Sequence, residues 1–240
     1  MLFTEENVRH NLRNREGKRV FYLAKSDQLT SSARDWLTRE RIPILPADQA
    51  KPESYQLLSG GILTEKPEHM THLHGNILVP KTHPRIAFRG AMDTLEAELV
   101  LCQLTLTEPM RQQVQQILDF ARGLLRWEVL NEPVPEAPLC GLTPAELRAR
   151  SHFPQKYYGQ PHFMPEWTDG EAIARLNRCR TAARAAELAA VRAFTDENGS
   201  PTRPDLLQAL NRLSSMLYIL MIRQKKEQGS AAFPSTTPKE

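Results

Sequence analysis

Apolar residues recur at intervals of three and four over much of the chain, which is the spacing of an amphipathic helix. A first pattern of this kind covers residues 88–102 and a second covers residues 114–125. Two longer patterns run over about residues 171–194 and 204–226. Four long amphipathic helices pack most simply as a bundle, so we predict a mainly α fold with about four to five bundled helices.

The first 60 residues carry a different pattern. A short run rich in β-forming residues at 19–23 precedes a helix predicted over residues 30–40. Residues 46–66 contain two prolines and two adjacent glycines, which is typical of a linker. We therefore expect a small α/β appendage with a linker over residues 1–60, the helical bundle over residues 61–228 and a disordered tail over residues 229–240.

Composition narrows the classes of function. The chain has 240 residues and a formal net charge of +3, and its basic residues are spread among acidic ones, which disfavours a nucleic-acid-binding protein. Cys102, Cys140 and Cys179 lie far apart, so they predict neither a disulfide scaffold nor a thiolate zinc site. No apolar run approaches the roughly 20 residues that span a bilayer, and no signal peptide is recognisable. We expect a soluble, intracellular protein.

A line of polar residues on the helix at 171–194 is a candidate site. Asn177, Arg180, Arg184 and Glu187 are three or four residues apart and therefore share one face. They could form a solvated surface in which Arg184 pairs with Glu187. Alternatively, the two arginines could bind a polyphosphate, which suits the planar guanidinium group. Spacing alone leaves both interpretations open.

The last helix contains a second polar group. Asn211, Ser214 and Ser215 interrupt a leucine-rich segment, and asparagine is unfavourable in the middle of a helix. These side chains either face solvent or serve a ligand.

A third cluster covers residues 71–76, THLHGN, and is followed by Lys81. The backbone near Gly75 and the charge of Lys81 could hold phosphates. The same stretch contains His69, His72, His74 and His83. These histidines lack a recognised ligand spacing, so we expect no protein-bound metal.

Several segments resemble ATP-dependent cobalamin adenosyltransferases. Residues 180–187, RTAARAAE, resemble the RTxxRRAE helix of the propanediol-utilisation type, and residues 210–215, LNRLSS, resemble its LNRLSD segment. Lys81 and residues 90–95, GAMDTL, look like the family's lysine followed by GxVDEL. The ethanolamine-utilisation branch is more similar, at residues 29–34, 66–73, 83–90, 131–133 and 209–215.

The resemblance implies an enzyme that transfers the 5′-deoxyadenosyl group of ATP to corrinoid cobalt. A reductant would convert cob(II)alamin to cob(I)alamin, whose cobalt attacks ATP and expels inorganic polyphosphate. The implied ligands are ATP, Mg²⁺ and cobalamin. The product, adenosylcobalamin, would serve ethanolamine ammonia-lyase.

The resemblance also implies roles for the nucleotide-binding residues. Arg184 would bind the ATP phosphates with help from Lys81, and Asn211 would contact the nucleotide. Thr71 and Gly75 stand where the family has its glycine-rich nucleotide loop, TGDxG.

Other implied roles concern the subunit interface and the corrinoid. Asp93 and Arg180 resemble the family's acid and base that pair between subunits, and Glu187 would orient the arginines. Phe163 is the nearest equivalent of the phenylalanine at the lower face of the corrinoid. We therefore expect a homo-oligomer, either a homotrimer or a dimer.

Two departures from the family pattern leave alternatives open. Ala185 replaces the second arginine of RRAE, and Ser215 replaces the aspartate of LNRLSD. The chain could instead be a non-catalytic module that delivers adenosylcobalamin, or an interaction protein of a microcompartment shell. A flavin or other reductase is the further expected partner, with no nucleic acid or membrane. The expected location is the cytoplasm, with or without enclosure in a bacterial microcompartment.

Overall fold

The structure, a computed structural model, describes residues 1–15, 17–47 and 54–231. The chain divides into two compact units, one made of Met1–Pro67 with Asn76–Leu78 and the other of Glu68–Gly75 with the residues from Val79 onward. The boundaries expected from the sequence, after residues 60 and 228, stay predictions. The last helix continues to Ala231, and the rest of the expected tail, residues 232–240, lies outside the described residues.

The first unit is the predicted α/β appendage. Its helices are α1 (Glu5–His10) and α2 (Ser31–Arg39). Strand β1 (Leu2–Phe3) pairs in parallel with β4 (Gln28–Leu29), while β3 (Lys18–Leu23) pairs antiparallel with β2 (Arg13–Arg15) and parallel with β5 (Ile44–Pro46). The buried side chains form a small core of their own: Val8, Phe21, Ala33, Trp36, Leu37 and Ile42.

A hairpin occupies part of the expected linker. Strand β6 (Tyr55–Leu57) pairs antiparallel with β7 (Ile62–Leu63) and parallel with the first half of β9 (Ile77–Pro80). Gly60 has φ +97°, and its N–H donates to the carbonyl of Leu57 at 2.9 Å. The glycine therefore closes a tight turn, in a conformation that other residues adopt at a cost, and ordered structure continues through it.

The second unit is a helical bundle, which confirms the predicted fold class. After strand β8 (Met70–His74), its helices are α3 (Pro84–Gln103), α4 (Met110–Leu130), α5 (Pro144–His152), α6 (Pro154–Tyr158), α7 (Gly170–Ala193) and α8 (Pro204–Ala231). Helix α3 packs against α4 and α7, and α8 packs against α7, α5 and α4. The packing therefore places α5 and α7 next to each other's common partner, α8.

Local hydrogen bonding sets the start of α3. His83 Nδ1 accepts from the N–H of Arg85 at 3.2 Å, and Pro84 suits a first helical turn because its φ is already helical. Neither signal is apolar, so the hydrophobic pattern alone begins later, at Phe88. Phe88 is fully buried and packs edge-on against Phe194, with 5.6 Å between the ring centres.

A buried carboxylate joins α4 to α3 and β8. Glu128 is 0% exposed, and it accepts hydrogen bonds from Arg85 Nε at 2.5 Å and from Arg89 Nε at 2.8 Å. Arg89 Nη2 also donates to the carbonyl of Leu73 in β8, at 2.7 Å. A buried charge is costly unless it is paired, and here two guanidinium groups pair with it. The cluster therefore holds β8, the strand that carries Thr71, against the bundle.

Candidate functional site

A polar cavity of about 300 Å³ lies in the second unit, between α7, α8 and the C-terminal end of α5. The lining residues are Ser151, His152, His162, Arg180, Arg184, Ser214, Ser215 and Tyr218. The lining combines hydroxyl, imidazole and guanidinium groups and includes no carboxylate. Such a set of donors and cations suits an anionic ligand.

Arg180 and Arg184 share one wall of the cavity, one helical turn apart on α7. Asn177 Oδ1 accepts from Arg180 Nε at 3.1 Å and from its Nη2 at 2.9 Å, which fixes the orientation of this guanidinium. Burial, followed by the charge of Arg184, lowers the pKa of Arg180. Among the described residues, neither arginine lies within ion-pair distance of a carboxylate. Two neighbouring cations without a counter-ion attract an anion.

The polar residues of α8 face the cavity and α7. Ser214 is 7% exposed, and the hydroxyls of Ser214 and Ser215 donate to the carbonyl of Asn211 at 3.0 and 3.1 Å. Asn211 Nδ2 donates to Glu187 Oε1 at 2.9 Å, and Asn211 Oδ1 accepts from Arg212 Nη1 at 2.8 Å. Glu187 therefore binds an asparagine of α8, whereas the resemblance assigned it to the arginines.

The sequence reasoning missed four residues that line the cavity, Ser151, His152, His162 and Tyr218. His162 and Tyr218 stack with 5.7 Å between ring centres and 14° between ring planes, and His162 Nδ1 lies 2.8 Å from the Tyr218 hydroxyl. His162 Nε2 lies 3.1 Å from the carbonyl of His152. Tyr218 belongs to the apolar run at 216–222, where the pattern indicates only a core residue. Its polar partner comes from a distant loop, so no local signal reveals it.

The other predicted nucleotide residues lie elsewhere in this unit. Lys81 follows β9 and pairs with Glu68 at 3.2 Å, with both side chains exposed. Thr71 is half-buried in β8, and Gly75 follows that strand with φ +51°. Asp93 is exposed on α3. None of these residues lines the cavity, so a single chain does not bring the predicted set together.

The predicted corrinoid residue follows His162 directly in the chain. Phe163 is half-buried against the bundle core, and Lys225 Nζ lies 5.7 Å from the centre of its ring. Two apolar residues after it are exposed, Met164 at 84% and Trp167 at 91%. This exposed apolar area is open to contact with a ligand or a second chain.

The histidine-rich stretch has a structural role at His83. Burial, followed by the charges of Arg85 and Arg89, lowers the pKa of this helix-capping imidazole. Within the described ranges, no group of three His, Cys, Asp or Glu side chains is placed to hold a metal ion.

None of the helices in the described part of the chain has the length and apolar character needed to cross a membrane.

Residues 62–130 and 145–224 match the family model for cobalamin adenosyltransferases. The second range contains every residue that lines the cavity. Because the match covers more than half of the sequence, the chain belongs to the cobalamin adenosyltransferase family. The resemblance drawn from the motifs is confirmed, and with it the class of enzyme, a transferase.

Two relatives named corrinoid adenosyltransferase EutT are similar along nearly their whole length. The Salmonella typhimurium protein is 32% identical over 242 aligned positions, covering 91% of this chain and 90% of that protein. The Escherichia coli strain K12 protein is 31% identical over 248 positions, covering 94% and 92%. Corrinoid adenosyltransferase PduO of Citrobacter freundii is 30% identical over 151 positions, covering 59% of this chain and 43% of that protein. These similarities do not favour a non-catalytic carrier or a shell-binding protein.

Proposed function

We propose that this chain is an ATP:cob(I)alamin adenosyltransferase whose cavity between α5, α7 and α8 receives the polyphosphate of ATP. The observation that supports this most directly is the pair Arg180 and Arg184, which face one cavity and have no carboxylate counter-ion among the described residues. The serine and tyrosine hydroxyls of the lining add neutral donors. The family and the EutT relatives supply the class of substrate.

In the proposed reaction, the cobalt of cob(I)alamin donates an electron pair to the 5′ carbon of ATP. The cobalt–carbon bond forms as the bond from that carbon to its phosphate oxygen breaks, and triphosphate leaves with the electron pair. Negative charge develops on the leaving oxygen, so preorganised guanidinium groups at Arg184 and Arg180 lower the barrier. A flavin or other reductase supplies the electron that converts cob(II)alamin to cob(I)alamin beforehand.

Mg²⁺ fits this cavity poorly as a protein-bound ion. In ATP sites it is usually held by phosphate oxygens, water and one or two carboxylates. The lining residues offer hydroxyl and imidazole groups but no carboxylate. In this proposal the phosphates of the nucleotide therefore hold Mg²⁺.

The remaining nucleotide residues reach a site only in an assembly, which we propose to be a homotrimer, with a dimer as the alternative. Asp93 of one copy then pairs with Arg180 of the next, while Lys81, Thr71 of β8 and Gly75 directly after that strand complete the phosphate site. The exposed apolar side chains of Leu104, directly after α3, at 77%, and of Leu188 on α7, at 62%, support contacts between copies. Light scattering during size-exclusion chromatography measures the mass of the assembly and therefore the number of copies.

The corrinoid is proposed to contact the segment that starts at Phe163. Met164 and Trp167 present apolar area next in sequence to a residue of the polar cavity, which suits a ligand with a flat apolar ring beside a charged nucleotide. Ethanolamine ammonia-lyase is the proposed client for the product. The proposed location is the cytoplasm, with microcompartment enclosure as a separate question.

An anaerobic assay tests the function. Purified protein, Mg-ATP and chemically reduced cob(I)alamin are mixed, and absorbance follows formation of the cobalt–carbon bond. Arg184→Ala is expected to lower kcat by about 10²- to 10³-fold, as loss of a preorganised charge donor does elsewhere. The kcat of Arg184→Lys is expected to lie between those of the wild type and Arg184→Ala, because lysine keeps the charge but not the planar fork.

The matched control is Arg178→Ala. Arg178 is exposed on the same helix and pairs with Glu98 at 2.9 Å outside the cavity, so its loss is expected to leave kcat near the wild-type value. A wild-type protein that forms no product would contradict the proposed function. Equal losses in the two alanine variants would contradict the phosphate site at Arg184.

A further inference from the structure

Residues 162–169 form a strap, a segment fastened to α8 at both of its ends. At its start, the imidazole of His162 contacts the hydroxyl of Tyr218. At its end, the carboxylate of Asp169 is bound by Lys225, and the carbonyl of Asp169 accepts from Gln228 Nε2 at 3.1 Å. The middle of the strap contains the half-buried Phe163 and the exposed residues that follow it.

The hydrogen bonds of His162 define which group donates. The carbonyl of His152 can only accept, so Nε2 of His162 carries the proton at 3.1 Å from it. In a neutral ring, Nδ1 is then an acceptor, and the Tyr218 hydroxyl must donate to it across 2.8 Å. One imidazole thus connects the C-terminal end of α5 to the middle of α8.

The Tyr218 hydroxyl also lies beside the proposed phosphate wall. Burial raises the pKa of Tyr218, and this is opposed by the backbone of Phe163 and by the charge of Arg180. The hydroxyl therefore interacts both with the strap and with Arg180.

We propose that Tyr218 is a positioning residue that holds the strap, and with it Phe163, at a set distance from Arg180. The inference rests on the proposed function, because the role of Phe163 is contact with the corrinoid. Its consequence is that one hydroxyl on α8 aligns the corrinoid side of the site with the phosphate side. Alignment of the reacting groups is a large part of such catalysis.

Hydrogen exchange tests, without any substrate, whether the Tyr218 hydroxyl holds the strap. Tyr218→Phe removes the hydroxyl and keeps the ring, so amides of the strap are expected to exchange about tenfold faster, as loss of one hydrogen bond predicts. Tyr157→Phe is the matched control, since Tyr157 is exposed on α6, where the cations of Arg150 and Lys156 lie over its ring. Unchanged exchange of the strap in Tyr218→Phe would overturn the inference.

Steady-state kinetics test the consequence. Tyr218→Phe is expected to lower kcat/KM for cob(I)alamin by about tenfold, while KM for ATP changes less than about twofold. A general loss of packing would raise KM for both substrates together and would shift the thermal midpoint. A KM for ATP raised as much as that for cob(I)alamin, or a corrinoid kcat/KM within about twofold of wild type, would contradict the positioning role.

Two substitutions at His162 separate its two hydrogen bonds. His162→Asn keeps an acceptor near the Nδ1 position, and His162→Gln keeps a donor near the Nε2 position. His162→Asn is expected to retain more corrinoid turnover than His162→Gln. The reverse order would contradict a positioning role for the hydrogen bond between Tyr218 and His162. If the wild type forms no product, the proposed function is contradicted. The exchange experiment tests the contact between Tyr218 and the strap whether or not product forms.

Discussion

The carboxylate of Glu128 offers the sharpest test of what holds the second unit together. It is 0% exposed, while the side chains of Arg85 and Arg89 that bind it are 22% and 19% exposed. Glu128→Ala leaves two partly buried guanidinium groups facing an apolar gap. Arg89 also loses the partner that orients it toward the Leu73 carbonyl of β8.

The magnitude follows from the contacts. The carboxylate accepts from Arg85 Nε at 2.5 Å, from Arg89 Nε at 2.8 Å and from Arg89 Nη2 at 3.3 Å. Removing one partner of a buried ion pair costs about 3 to 5 kcal/mol, because the remaining charge stays desolvated. Total stabilities are about 5 to 15 kcal/mol, so this is a large fraction. Glu128→Gln keeps the shape and one acceptor, and its expected cost is about 2 to 3 kcal/mol.

Denaturant unfolding, followed by the helical circular dichroism signal, measures the free energy of unfolding of each variant. Glu132→Gln is the control, since this carboxylate is 46% exposed and pairs with Arg126 at 3.6 Å, where a loss below about 1 kcal/mol is expected. Hydrogen exchange should also accelerate at the β8 amides in Glu128→Ala only. If Glu128→Ala and Glu132→Gln unfolded at the same denaturant concentration, the account of the cluster would be refuted.

Two further predictions concern titrating groups. The hydrogen bond from Arg203 lowers the pKa of Asp205 to about 2, below its unfolded value, so its stabilisation is present above about pH 4 and is lost as pH falls toward 2. Asp205→Asn is therefore expected to destabilise by about 1 to 2 kcal/mol at pH 7, and thermal midpoints that stay equally far apart at pH 2 would contradict this. Burial raises the pKa of the Cys140 thiol to about 11, so native alkylation at pH 8 should run about 10²-fold slower than at a free cysteine. Mass spectrometry of timed samples measures the alkylation rate of Cys140, and rapid labelling there would contradict the burial of its thiol.

The long helices of the bundle and the family could be predicted from the sequence. The interval of three to four residues is a property of the helix alone, so it places Arg180 and Arg184 on one face whatever packs around them. The motif at 180–187 and the segment at 210–215 needed no tertiary information either. The start of α3 at Pro84 was less visible, because a capping imidazole and a proline set it rather than apolar spacing.

Tertiary structure alone decided which polar groups meet. His162 and Tyr218 are 56 positions apart and join only when the strap packs on α8. Whether Ser214 faced solvent or a cavity depended on where α7 and α5 lie, which periodicity does not contain. Glu128 reads in the sequence as one more charged helix residue, and its burial follows from two arginines on α3. Helical spacing is set by local backbone geometry, whereas the partners of a polar side chain are set by packing between elements far apart in the chain.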